Sequence, residues 1–138
     1  MTTKTPEQFN AVGGGHLPGL LGVEIVSVGE GGVDSRLVVR REVMAPNGFL
    51  HAATVIALAD TSCGYGCVAS LPNGASGFTT IELKANFLGT AREGVIDCRA
   101  APVHLGRTTH VWDAVVAAAE GPRIAVFRCT QMILWPKK

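Results

Sequence analysis

From Leu20 onward the hydrophobic residues fall into short runs separated by glycine-rich turns, with one exception. Residues 22–28 and 33–41 are β-type runs joined by Gly29-Glu30-Gly31-Gly32, which reads as a hairpin. Residues 49–70, FLHAATVIALADTSCGYGCVAS, show no alternation and are rich in alanine. Wound as a helix throughout they would make about six turns, and they are the one candidate for a central helix. After the turn Leu71-Pro72-Asn73-Gly74, Ile81, Leu83, Ala85 and Phe87 alternate with Glu82, Lys84 and Asn86, so one strand face is expected to be buried and the other polar. A break at residues 89–94 precedes three further β-type runs, 95–104, 107–118 and 123–135, punctuated by Gly106 and Gly121-Pro122.

Two strands, one long helix and four strands predict an α+β fold. A helix that is apolar all round must be covered on most sides, and an antiparallel sheet of about six strands wrapped around it meets that need. Residues 1–19 carry Pro6, Gly13-Gly14-Gly15 and Pro18 and are expected to form a short helical or loose N-terminal arm, with 20–138 a single domain. The 138 residues are 47% hydrophobic and 17% charged, enough for a sizeable core. A formal net charge of +1 without runs of one sign gives no nucleic-acid footprint. The N-terminus has no apolar segment behind its one lysine, so a cytoplasmic protein is expected rather than a secreted one. The uncharged stretch at residues 49–59 is too short for a membrane span. Cys63, Cys67, Cys98 and Cys129 are expected to be reduced, small buried hydrophobes, because the Cys63/Cys67 spacing suits neither a redox C-x-x-C nor a zinc knuckle. Gly13-Gly14-Gly15 lacks the Lys-Ser or Lys-Thr of a phosphate-binding loop.

Three segments carry a resemblance: Gly48-Phe49-Leu50-His51-Ala52-Ala53 with Leu58-Ala59-Asp60, then residues 86–94 (NFLGTAREG), then Gly106-Arg107-Thr108-Thr109. Together, over about residues 20–135, they resemble the hotdog superfamily, and within it the phenylacetate-degradation type thioesterases that hydrolyse aryl-CoA esters. The family pattern is His-Gly-Gly followed by a helix bearing L-A-D or L-A-E, with the acid nine residues after the histidine, and His51 and Asp60 keep that spacing. Here Ala52-Ala53 replace the glycines and Thr90 stands where proline is usual. The asparagine or glutamine expected six residues before the histidine falls at Ala45, and Asn47 serves instead if the loop is two residues shorter. The resemblance implies thioester hydrolysis with Asp60 at its centre, Thr80 near the place of a water-holding hydroxyl, CoA contacts at Arg107 and Thr108, and self-association, commonly as a dimer of dimers.

The residues themselves suit that chemistry. Thioester hydrolysis needs a carboxylate to attack or to activate water, and a donor aimed at the oxygen where negative charge develops. Asp60 is the one ionisable side chain between His51 and Ser70 apart from the thiols and Tyr65. The first free helix amides, at Ala52 and Ala53, supply donors backed by the positive end of the helix dipole. Eight residues of helix separate Asp60 from Ala52 by roughly 12 Å, so another subunit must close the site. Two central helices antiparallel about a twofold axis would give two equivalent sites. Burial should raise the Asp60 pKa, and the partner's helix terminus should oppose the rise. Asp60 could instead cap a second helical segment through the amides of Ser62 or Cys63. His51 suits a helix cap or loop-orienting role better than that of a base, and Ser62 lacks the G-x-S-x-G elbow of a serine nucleophile. Arg107 and Thr108 could hold a CoA phosphate, or be a solvated strand end. His16, His104 and His110 have no ligand spacing, so no metal is predicted; no cofactor is expected either, CoA being part of the substrate. Phe49, Tyr65 and Phe78 suit an aromatic or medium-chain acyl pocket as well as a core. Two rival functions are a hotdog enoyl-CoA hydratase, whose motif is missing here, and a non-catalytic acyl-CoA sensor.

Overall fold

The computed structural model describes residues 4–29 and 31–138. Its central element, α3 (Ala52–Ala69), follows two short N-terminal helices, α1 (Pro6–Gly13) and α2 (Leu17–Leu21), and the hairpin β1 (Glu24–Gly29) and β2 (Gly32–Val38). Four strands come after it: β3 (Gly77–Phe87), β4 (Val95–Leu105), β5 (Thr109–Ala118) and β6 (Arg123–Leu134). All six strands form one antiparallel sheet in the order β1-β2-β4-β5-β6-β3. The chain thus places β3, which follows the helix, at the edge opposite the first hairpin. α3 packs against every strand of the sheet. Leu58, Ala59 and Cys63 are wholly buried against Ile96, Trp112, Val116, Phe127 and Cys129, each large aliphatic side chain contributing about 1.5–3 kcal/mol of transfer free energy. This is the expected sheet around a helix, the hotdog architecture. Among the described residues α3 alone is long and apolar enough to cross a membrane, and half of that stretch is buried inside the protein.

Two glycines let the helix approach the sheet. A Cβ on Gly66 would lie 2.5 Å from the ring carbons of Trp112, and one on Gly64 2.9 Å from Phe78. The N-terminal arm is helical: Thr5 and Gln8 close a capping box at the start of α1. Phe9 is buried and stacks on Tyr65 at 4.7 Å between ring centres, and Asn10 clamps the backbone of Ile25 with two hydrogen bonds of 2.7 and 3.1 Å. All four cysteines are free thiols in the interior.

Two expectations need correction. β2 ends at Val38 rather than Arg41, because the Arg40 guanidinium turns away to bond the carbonyls of Leu20 and Leu21, and residues Arg41–Val43 form a 3-10 turn. The alternation of β3 does not bury one face in the protomer. Leu83, Ala85 and Phe87 oppose Cys129, Phe127 and Ala125 and so face the helix side, but β3 is an edge strand that the helix only partly covers. Leu83 and Phe87 remain 38% and 45% exposed. Ile81, 53% exposed, falls in a register shift between Thr80 and Glu82 and leaves the alternation altogether.

Candidate active site

Asp60 lies midway along α3, partly buried. Its Oδ1 is shut off from solvent and makes no hydrogen bond among the described residues. Burial raises its pKa above the ordinary carboxylate value, and the nearby Thr80 side chain of β3 opposes the rise. Asp60 and Thr80 are therefore neighbours in the structure. The helix runs unbroken from Ala52 to Ala69, so Asp60 has no second segment to cap and its carboxyl is free of that structural task. Ser62 is committed to the core: its Oγ donates to the Leu58 carbonyl at 2.7 Å and pairs with Ser35 Oγ at 2.6 Å. The thiols of α3 and the sheet are buried. Contact with Cys129 and then burial push Cys63 far up, and burial raises Cys67 to about 12 and Cys98 to about 11.

At the start of α3, His51 is the N-cap, with Nδ1 accepting from the Ala53 N–H at 2.9 Å. That contact requires the imidazole with its proton on Nε2. It also corrects one expectation: the Ala53 amide is occupied by His51, so Ala52 N–H is the free donor at this terminus among the described residues. The preceding loop is a closed turn. Met44 bridges Leu50, Ala45 N–H bonds the Phe49 carbonyl at 2.7 Å, and Gly48 adopts φ +87°, a conformation that glycine takes without strain. Asn47 uses its Oδ1 to accept from Phe49 N–H at 3.2 Å, while its side-chain NH₂ makes no bond among the described residues. This cluster stands at one end of the helix, well away from the same chain's Asp60.

Arg107 and Thr108 sit in the β4–β5 turn. The Arg107 guanidinium lies 4.2 Å over the Trp135 ring, whose Nε1–H donates to the Arg107 carbonyl, and the Thr108 carbonyl accepts from Ile133 N–H. Stacking of this kind leaves the in-plane donors of the guanidinium available to an anion.

Several contributors are not evident from the motifs. Thr90 accepts from Leu50 N–H at 3.1 Å, a bond to the loop before α3 that a proline side chain could not make, and Arg92 covers the Phe49 ring at 4.6 Å. The Thr54 hydroxyl, buried in the first turn of α3, donates to the Val43 carbonyl at 2.7 Å and fixes where the helix begins. Gln131 and His110, both buried, lie on inward strand positions. A polar residue at an inward position of an alternating strand was the available signal.

A six-stranded antiparallel sheet around a central helix, the helix carrying a partly buried carboxylate with one oxygen shut off from solvent, is a hotdog scaffold. The model of the thioesterase superfamily matches residues 47–125, and the chain belongs to that family. It is 30% identical over 110 residues to a 1,4-dihydroxy-2-naphthoyl-CoA hydrolase of Listeria monocytogenes, covering 80% of this chain and 89% of that one. A hydrolase described by the same words from Escherichia coli is 29% identical, over 94% and 95% of the two chains. The crystal structure of a thioesterase from Haemophilus influenzae superposes with a TM-score of 0.90 at 29% identity, over 96% and 92%. The protein is a thioester hydrolase.

Proposed function

We propose that the protein is an acyl-CoA thioesterase, releasing CoA and a free aryl or medium-chain acid, and that Asp60 is its general base or nucleophile. The observation that carries this reading is the Asp60 carboxyl itself: held on a rigid core helix, desolvated, beside a hydroxyl, and with one oxygen unbonded. As base, Asp60 takes a proton from a water held by Thr80. The hydroxide oxygen bonds to the thioester carbon, the carbonyl becomes an oxyanion, and collapse breaks the C–S bond to give CoA thiolate and the acid. The oxyanion is met by the backbone amide of Ala52 of the partner subunit. Because the donor is backbone, alanine in place of glycine keeps it, and the His51 cap on Ala53 aligns the first turn. Asn47, with its free side-chain NH₂, is the second donor at that terminus. Arg107 and Thr108 hold the CoA phosphates.

Self-association follows from this geometry and is supported by the open edge of β3, where Ile81, Leu83, Phe87 and the following Leu88 are exposed apolar residues beside unpaired strand groups. The enzyme acts as a dimer or dimer of dimers in the cytoplasm, without a metal or separate cofactor.

The test is a panel of phenylacetyl, hydroxybenzoyl and medium-chain CoA esters incubated with wild type and Asp60→Asn, with free CoA followed by chromatography. Wild type should release CoA, and the variant should fall by about two or more orders of magnitude. Undiminished turnover by Asp60→Asn would overturn the assignment of Asp60.

A further inference from the structure

Across three neighbouring strands, Thr80 of β3, Gln131 of β6 and His110 of β5 form one row: Gln131 is the direct cross-strand partner of both others. Directly opposed residues share a face and hold their Cβ atoms about 4.5–5.5 Å apart, within reach of a glutamine amide on either side. Gln131 has no solvent exposure and His110 has 1%. Neither end of the Gln131 amide, nor His110 Nδ1, makes a hydrogen bond among the described residues. Their neighbours along the strands, Cys129 and Ile133 on β6 and Trp112 on β5, are core residues. A wholly buried amide with both ends unbonded is costly, whereas Leu or Met would fill the same space without that penalty. The row leads directly to the hydroxyl beside Asp60.

We propose that Gln131 is a positioning residue for the active site: a rotation of its unbonded side chain from the position seen here lets Nε2–H donate to Thr80 Oγ1, so that the Thr80 hydroxyl proton is aimed at the Asp60 carboxylate, and lets His110 anchor the far end of the amide through Nδ1–H to Gln131 Oε1. The proposal rests on the reading of Asp60 as the catalytic carboxylate and extends it two strands into the sheet. A hydroxyl has one proton and is free to rotate; an accepted hydrogen bond from Gln131 removes the orientations in which that proton points away from Asp60. Thr80 opposes the rise in the Asp60 pKa only while it donates.

The titratable groups around the row are few. The Cys63 thiol lies on the same helix as Asp60, with Cys129 of β6 behind it, and Cys63 is held protonated by that contact and by burial. His110 on β5 is flanked by His104 of β4; burial, then His104, lower its pKa, which keeps the imidazole neutral and able to donate to the amide.

The experiment uses protein labelled with carbon-13 at the aspartate carboxyl, the Asp60 signal being the one absent from Asp60→Asn. Its titration midpoint is measured by NMR without substrate in wild type, Gln131→Leu, Gln131→Met, Thr80→Val and the double variant Gln131→Leu/Thr80→Val. Gln131→Leu should move the midpoint upward, as Thr80→Val does, and the double variant should move it no further than Thr80→Val alone. In parallel, kcat should fall about tenfold with KM within about twofold, and the acid limb of the kcat profile should follow the NMR midpoint. Gln131→Met, closest in length to glutamine, gives the same reading should leucine disturb folding. An unmoved midpoint in both Gln131 variants, or shifts that add to that of Thr80→Val, would overturn the proposal. Because the titration needs no turnover, it stands apart from the Asp60→Asn activity test, whose failure would overturn the catalytic reading instead.

Discussion

Asp60, the proposed catalytic carboxylate, works against stability. Burial holds the Asp60 pKa above its value in an unfolded chain, so the folded protein binds that proton more tightly than the unfolded one does. The folded state is therefore favoured, as far as this group is concerned, below the ordinary carboxylate range near pH 4, and that advantage is lost as pH rises through the folded pKa and Asp60 ionises in its desolvated position. Asp60→Asn removes the ionisation while keeping the shape. The variant should be more stable than wild type at neutral pH, and the difference should shrink as pH is lowered into the carboxylate range. Urea denaturation of both proteins at several pH values checks this; a variant less stable than wild type at pH 7 would mean that the carboxylate is stabilised by the fold, contrary to its desolvation. A gain in stability beside a loss of turnover is the trade expected where function requires a strained or desolvated group.

At the scale of elements, the fit of α3 to the sheet depends on what the helix lacks. With the Trp112 ring carbons 2.5 Å from where a Gly66 Cβ would stand, Gly66→Ala should cost about 1–3 kcal/mol in overpacking, more than the 0.5–1 kcal/mol that alanine normally adds to a helix interior. The same substitution at Gly64, which meets only the Phe78 ring tip at 2.9 Å, should cost less, and paired denaturation curves would separate them; equal or stabilising effects would mean that Trp112 can move aside. The helix was legible in the sequence because an 18-residue element apolar all round has one physical solution, enclosure. The hairpin and the six strands were legible through their glycine turns. The exposed face of β3 was not, because alternation reports which side chains share a face and says nothing of whether anything covers them. At the site, the acid nine residues after the histidine is legible in motif spacing and the His51 cap in its place before the helix, whereas the occupation of the Ala53 amide is not, because a cap's reach is a matter of geometry. Gln131 is legible in the sequence only as a polar residue at an inward strand position; that it stands beside Thr80 is a matter of cross-strand register.

For the whole molecule, the decisive question is whether one site draws on two chains. The helix start and Asp60 lie at different points of one rigid element, so within a protomer neither loop motion nor side-chain rotation can bring the Ala52 amide to the Asp60 carboxylate. Two inactive variants can decide it. Ala52→Pro removes the amide donor, a ring carbon taking the hydrogen's place, without breaking the helix: the first helical position accepts proline, and His51 already has the extended conformation (φ −67°, ψ 133°) that a following proline requires. Asp60→Asn removes only the carboxylate. Each homo-oligomer should be nearly inactive. When equal amounts are unfolded together and refolded, half of the dimers should be mixed, and each mixed dimer pairs the intact Asp60 of one chain with the intact Ala52 amide of the other at one of its two sites. The expected recovery is about a quarter of wild-type activity. Recovery near that level can arise only from a shared site. If each variant is inactive and mixing restores nothing, the shared site is overturned; if Ala52→Pro alone stays active, the Ala52 amide is not the donor and the polarising group must be sought among residues that already face Asp60.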